Sequence, residues 1–167
     1  MRLYIVRHAI ASPHGTPGVK DDDRALTKEG IQKMREAAEG LRALDCIPEA
    51  IFSSPLLRAL QTAELLLEIL GKGIDFKTTP SLAPSGSRQE LYREISLYDK
   101  KLKSLMLVGH QPSLGEIAGE IAWGSPDHYV ELKKGGACLI DLESVRGTPK
   151  GKLISLLTPS ILRKIVG

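Results

Sequence analysis

Aromatic residues make up only 4% of this 167-residue chain, and it has two cysteines, Cys46 and Cys138. With so few aromatics there is no platform on which nucleic-acid bases could stack. No run of lysine or arginine exceeds two residues, and the net charge is +3. That charge is too mild to argue for nucleic-acid binding. The two cysteines stand far apart, without metal-ligand spacing, and read as small buried hydrophobes in a reducing compartment rather than as a disulfide. No apolar run approaches membrane-spanning length, and the first one, Leu3-Tyr4-Ile5-Val6, is too short for a secretory signal. The expectation is a cytoplasmic protein with no membrane partner. Internal repeats and low-complexity linkers are also lacking. The length fits one domain spanning residues 1–167, large enough for a real core.

What the chain does have is chemistry at the ends of apolar runs. Leu3-Tyr4-Ile5-Val6 leads into Arg7-His8-Ala9. A buried strand ending this way presents an arginine and a histidine at the carboxyl edge of a sheet, where ligands bind in open α/β folds. An arginine offers a planar fork of donors suited to phosphate oxygens. A neutral histidine offers a nucleophilic ring nitrogen. The short run alone is equally compatible with a basic pair that merely faces water.

Two further segments repeat the pattern. Ala50-Ile51-Phe52-Ser53 leads into Ser54-Pro55-Leu56-Leu57-Arg58. Ser54 is expected to cap a helix from Pro55 to Leu70, with Pro55 in its first position and Arg58 in its first turn. Free backbone donors and the positive end of the helix dipole there favour an anion. Leu105-Met106-Leu107-Val108 ends in Gly109-His110. Two arginines and two histidines thus come off three strand ends.

The remaining elements follow from periodicity and punctuation. Thr27 is expected to cap a helix with Ile31, Met34, Ala38, Leu41 and Leu44 at helical spacing. A short strand is expected near Ile74–Lys77, a helix from Arg88 to Leu102, and another from Ser113 to about Trp123. Strands at about Ala137–Leu142 and Lys152–Leu157 would form a late hairpin, and Pro159 would open a short terminal helix. Strands alternate with helices early in the chain. The fold class is therefore α/β, a three-layer α/β/α arrangement with a mostly parallel sheet and a late antiparallel hairpin.

Taken together, these segments resemble the histidine phosphatase superfamily, the phosphoglycerate-mutase-like fold, and within it the short SixA-type phosphohistidine phosphatases. The resemblance rests on Leu3–His8, on Leu-Thr-Lys-Glu-Gly at 26–30, on Ser-Ser-Pro-Leu-Leu-Arg-Ala-Leu-Gln-Thr at 53–62, and on Val108-Gly109-His110. One departure is Ala9, where the family most often has glycine. That position must then avoid glycine-like dihedrals.

The resemblance implies that His8 is the nucleophile of a metal-independent phosphatase that forms a phosphohistidine intermediate. Arg7, Arg58 and His110 would bind the phosphate and stabilise the transferring group, with His110 protonated when a dianion is bound. No cofactor is implied. Larger members of the family carry an acid that protonates a departing alkoxide. The segment 80–86 holds no carboxylate, and Gln111, not aspartate, follows His110. A phosphohistidine, whose P–N bond is labile, needs less help, and the short chain leaves no room for an inserted lid. The expected substrate is a phosphohistidine-bearing protein, such as a phosphorelay domain.

Alternatives stay open. Asp21-Asp22-Asp23 could supply an acid to a small-molecule phosphomonoesterase, although such a run is more often a solvated face. A non-catalytic phosphoprotein-binding module would not need the nucleophile, and a mutase lacks an evident acid. Arg24 would pair with a neighbouring aspartate. His14, His128 and Trp123 read as exposed or packing residues, Glu90 as too uncertain in direction to place, and Ser53-Ser54 as caps rather than nucleophiles.

Overall fold

The computed structural model describes residues 1–98 and 102–167. Six strands form one sheet: β1 (Arg2–Arg7), β2 (Ala50–Ser53), β3 (Asp75–Thr78), β4 (Ser104–Gly109), β5 (Ala137–Ser144) and β6 (Lys150–Leu157). Their spatial order is β3-β2-β4-β1-β5-β6. The β1–β4, β2–β4 and β2–β3 pairs are parallel, whereas β1–β5 and β5–β6 are antiparallel. The expected mixed sheet with a late hairpin is what forms.

Among the described residues five α-helices cover the sheet: α1 (Lys28–Ala43), α2 (Leu57–Leu70), α3 (Arg88–Leu97), α4 (Ser113–Trp123) and α5 (Pro159–Val166). Side chains alternate across a strand, so each strand feeds two cores. Tyr4 and Val6 of β1 pack with Met34, Ala59 and Leu162 from α1, α2 and α5. Leu3 and Ile5 pack with Leu91 and Leu114 from α3 and α4 on the other face. Every residue of β2 and β4 is buried. That double burial explains why these strands read as unbroken apolar runs. At the far edge β6 alternates exposed and half-buried residues, with Lys150 and Lys152 discouraging further pairing.

Several boundaries differ from the sequence reading, and β5 and β6 each run two residues further toward the hairpin turn than expected. Strand β3 lies one residue later than expected. Helix α2 begins at Leu57, not Pro55, and Leu56 rather than Ser54 is its cap residue. Ser54 is diverted to a tertiary contact described below. Helix α3 ends at Leu97, where Tyr98 turns extended, rather than at Leu102; residues 99–101 of that expected helix lie outside the described residues.

The parallel register brings the chemistry to one level. Arg7 pairs with Gly109, and Ser53 pairs with Val108. The next residues continue the ladder: the His8 N–H donates to the Gly109 carbonyl at 3.0 Å, and the Ser54 N–H to the Val108 carbonyl at 2.9 Å. The first turn of α1 packs directly on the backbone beyond His8. A Cβ on Gly30 would stand 2.0 Å from the Ile10 carbonyl oxygen, so only glycine allows that approach. Thr27 caps this helix as expected, accepting from the Gly30 N–H at 2.9 Å.

Candidate active site

His8 and His110 face each other at the carboxyl ends of β1 and β4, their ring centroids 5.1 Å apart. Both are buried, as is Arg58 on the first turn of α2. Arg7 is half-buried at the end of β1. All four residues singled out from the sequence therefore come together.

Each is held by local structure. The Nδ1–H of His8 donates to the Ala9 carbonyl at 2.7 Å. This fixes the tautomer and leaves Nε2 with its lone pair. The Ala9 N–H is bound by Thr62 Oγ1 at 3.1 Å, and the Thr62 hydroxyl donates to the Arg58 carbonyl at 2.7 Å. Ala9 has no positive φ, so alanine serves there without strain. Arg7 Nη1 donates to the Leu132 carbonyl at 2.8 Å. Gln111 braces that segment, donating to the Val130 carbonyl and accepting from the Gly115 N–H.

The electrostatics favour a neutral nucleophile. Burial pushes the pKa of His8 down to about 4, helped by the charges of Arg58, Arg7 and Lys134. Burial also pushes His110 down to about 3, with His8 and Arg58 adding to it. Both arginines are themselves lowered, chiefly by burial, but from so high a value that they stay cationic. Three buried nitrogens, Arg7 Nε, Arg58 Nε and His110 Nδ1, have no hydrogen-bond partner among the described residues. A phosphate dianion offers acceptors to all of these groups.

Two contacts correct the sequence reading. Ser54 was expected to cap α2. Its hydroxyl instead lies 2.8 Å from His110 Nε2 and accepts from the Leu56 N–H at 3.3 Å. Asp21-Asp22-Asp23 was read as a solvated run, yet Asp21 reaches the site. Arg58 donates to its backbone carbonyl at 2.7 Å and to its carboxylate at 3.2 Å. The same carboxylate takes His14 Nδ1 at 2.9 Å and Arg24 Nε at 2.8 Å. His14, Arg24 and Arg58 together hold the Asp21 carboxyl well below the usual carboxylate range. Arg24 pairs as expected. His14 is exposed but not idle. Glu90 pairs with Arg93, His128 and Trp123 line a surface depression with Tyr129, and both cysteines are free and buried.

A family model, histidine phosphatase superfamily (branch 1), matches residues 3–85. An uncharacterized protein of Picosynechococcus sp. is 39% identical over 81% of this chain and 82% of its own length. The chain belongs to the histidine phosphatase superfamily. Phosphohistidine phosphatase SixA of Escherichia coli is 27% identical over 74% of this chain and 76% of that protein. The solved structure of protein histidine phosphatase SixA with tungstate superposes with a TM-score of 0.84 at 24% identity, covering 97% of this chain and 99% of that one. The alpha-ribazole phosphatase of Shigella flexneri shares the fold at a TM-score of 0.68 and 17% identity, covering 95% and 97%. At those identities the two superpositions speak for the fold alone. The solved structures that share this fold thus include one described as a protein histidine phosphatase and one described as an alpha-ribazole phosphatase. No helix among the described residues is long and apolar enough to cross a membrane.

Proposed function

We propose that this superfamily member removes phosphate from phosphohistidine in a protein, through a covalent intermediate on His8. The observation that carries the reading is the fixed ring of His8: Nδ1 is committed to the Ala9 carbonyl, and the pKa of about 4 leaves Nε2 unprotonated at neutral pH. In the first step the Nε2 lone pair forms a bond to phosphorus as the substrate P–N bond breaks. The departing imidazole leaves neutral when its other nitrogen already carries a proton. In the second step water attacks the phosphorus as the P–Nε2 bond breaks, its proton passes to solvent, and neutral His8 and inorganic phosphate are released. Arg7, Arg58 and His110 stabilise the equatorial oxygens in both steps, and their contribution is electrostatic preorganisation.

The choice of phosphohistidine over a phosphomonoester rests on the leaving group. Asp21 is the carboxylate in contact with Arg58, and its hydrogen bond from His14 and its contacts with Arg24 and Arg58 keep it ionised at neutral pH. An ionised carboxylate cannot donate a proton to an alkoxide. A phosphohistidine does not require that donation. The second reading, a small-molecule phosphomonoesterase with Asp21 as its acid, is favoured by the direct Asp21–Arg58 contact. In that case the incoming dianion would have to displace the carboxylate and raise its pKa.

The test is trapping of the intermediate. Rapid quenching with labelled phosphohistidine protein should give an acid-labile, alkali-stable phosphoenzyme with wild type and none with His8→Ala, whose melting temperature should be retained. A labelled intermediate that persists in His8→Ala would remove His8 from the nucleophile role.

A further inference from the structure

A groove of about 110 Å³ adjoins the nucleophile on the side of α1 and α5. Its lining includes Ala9 and Ile10, the two residues after His8, together with Lys33 of α1, Lys134 and Gly135 of the β5 approach, and Arg163 of α5. The loop carrying Lys134 is fastened to the catalytic backbone. The Gly135 N–H donates to both the Arg7 and the His8 carbonyls at 3.1 Å, and the Arg7 N–H donates to the Gly136 carbonyl at 3.1 Å. Gly135 takes φ +76°, the left-handed conformation that favours glycine, with Met34 and Pro159 beside it. Lys134 is thus placed by a loop that moves only if the His8 backbone moves.

The three cations of the groove differ. Lys33 is paired with Glu29 on its own helix, and Arg163 with Glu36 at 3.5 Å. Lys134 is exposed and has no ion-pair partner among the described residues. Its charge is nonetheless felt at His8. A volume of about 110 Å³ is below the range of about 300–1,000 Å³ typical of sites that enclose whole small molecules. It suits a single side-chain head. The groove therefore offers one uncompensated positive charge, close enough to be felt at His8, on a loop hydrogen-bonded to the His8 backbone.

We propose that this groove receives a carboxylate of the phosphorylated protein, an Asp or Glu close in sequence to the phosphohistidine, with Lys134 as its partner. This rests on the reading of the site as a protein-directed phosphatase. Because Ala9 and Ile10 directly follow His8, and successive Cα atoms are about 3.8 Å apart, the acidic residue should lie about one to three positions from the phosphorylated residue. Lys134 is a specificity residue on this reading. It selects which phosphoproteins dock and takes no part in bond making.

The experiment compares phosphohistidine peptides carrying Glu, Gln or Lys at each position from −3 to +3, and a parallel phosphotyrosine series with the same flanks. The quantity read is the ratio of kcat/KM for the Glu peptide to that for the Gln peptide. At low salt wild type should prefer Glu at one position by about threefold to fivefold, the range for a partly exposed charge pair, and the preference should fade as salt rises. In Lys134→Glu the ratio should fall below one, and the Lys peptide should become the better substrate at that same position. A merely structural role for Lys134 would not give that inversion. A flat Glu-to-Gln ratio in wild type, or one that Lys134→Glu leaves in place, overturns the proposal. If the phosphotyrosine series alone is cleaved, with the inversion present, the groove stands and the phosphohistidine substrate falls. If p-nitrophenyl phosphate is cleaved but neither peptide series is, both fall.

Discussion

Replacing Ser54 by alanine should damage catalysis more than its position at the start of a helix would suggest. Ser54 is fully buried, and its hydroxyl bridges His110 Nε2 at 2.8 Å and the Leu56 N–H at 3.3 Å. Truncation leaves His110 with neither ring nitrogen partnered, since Nδ1 already lacks a partner among the described residues. A buried polar group stripped of its partner costs about 1–3 kcal/mol. In a domain of this size that corresponds to a fall of roughly 3–10 °C in melting temperature. The effect on rate comes from the ring. His110 would no longer be held in its plane by Ser54; on the proposed reading, in which His110 supports the transferring phosphate, loss of one oxyanion donor costs at most about 10²–10³ in kcat. A mispointed donor should cost roughly 10–100-fold, within that limit.

The assay is steady-state hydrolysis of p-nitrophenyl phosphate beside a thermal melt, for Ser54→Ala and for Ser54→Thr. Threonine keeps the hydroxyl but adds a methyl to a filled space, so it should recover much of the rate while remaining less stable. The loss should fall mainly on kcat, because the ring supports the transition state more than ground-state binding. Wild-type kcat in Ser54→Ala, with the melt lowered as expected, would refute the idea that Ser54 positions His110.

Titration offers a second check: in the ligand-free protein neither His8 nor His110 should titrate by NMR between pH 5.5 and 8, because burial holds them at about 4 and about 3. The unfolded chain binds these protons near pH 6.5 and the folded chain does not. Stability should therefore be full above about pH 6.5 and fall as pH drops toward 4 and 3; a melting temperature level from pH 7 to 4.5 would contradict the burial of the pair. A third check concerns the leaving group. Across phosphoesters of graded leaving-group pKa the wild-type rate should fall steeply with basicity, each unit raising the barrier by a fraction of about 1.4 kcal/mol, and Asp21→Asn should leave the slope as it is. A shallow slope that steepens in Asp21→Asn would show Asp21 acting as the acid and would favour small phosphoesters as substrates.

The parts of this site that could be read from sequence are those coded by local rules. Buried parallel strands must be apolar without interruption, so Leu3–Val6 and Leu105–Val108 announced themselves, and the residues after them had to emerge at the same sheet edge. Helix α1 was equally plain, because Thr27 and a regular apolar spacing mark its start and its face. What escaped notice depends on contacts between distant segments. Ser54 meets His110 across 56 residues, and Arg58 meets Asp21 across 37. A serine before a proline has the local signature of a cap whether or not its hydroxyl is claimed elsewhere. Nothing near Asp21 distinguishes it from Asp22 and Asp23. Thr62 gave a fainter signal: a polar residue four positions after Arg58, on a helix face that is otherwise apolar, with its side chain buried.

The same burial that keeps His8 neutral also weakens the fold around it. Burying two imidazoles and a guanidinium lowers their pKa values and leaves Arg7 Nε, Arg58 Nε and His110 Nδ1 without partners among the described residues. Replacing such a site with well-packed apolar side chains would be expected to stabilise the protein, since buried charges rarely repay their desolvation. The carboxylate of Asp21 offsets part of that cost by contacting Arg58. Its other oxygen is held by His14 and Arg24. A phosphate dianion makes a better partner for Arg58 than a single carboxylate oxygen at 3.2 Å. On the reading proposed above, His110 is best placed to respond to the bound phosphate. It starts neutral, and a nearby dianion raises its pKa, so on that reading it gains a proton on binding.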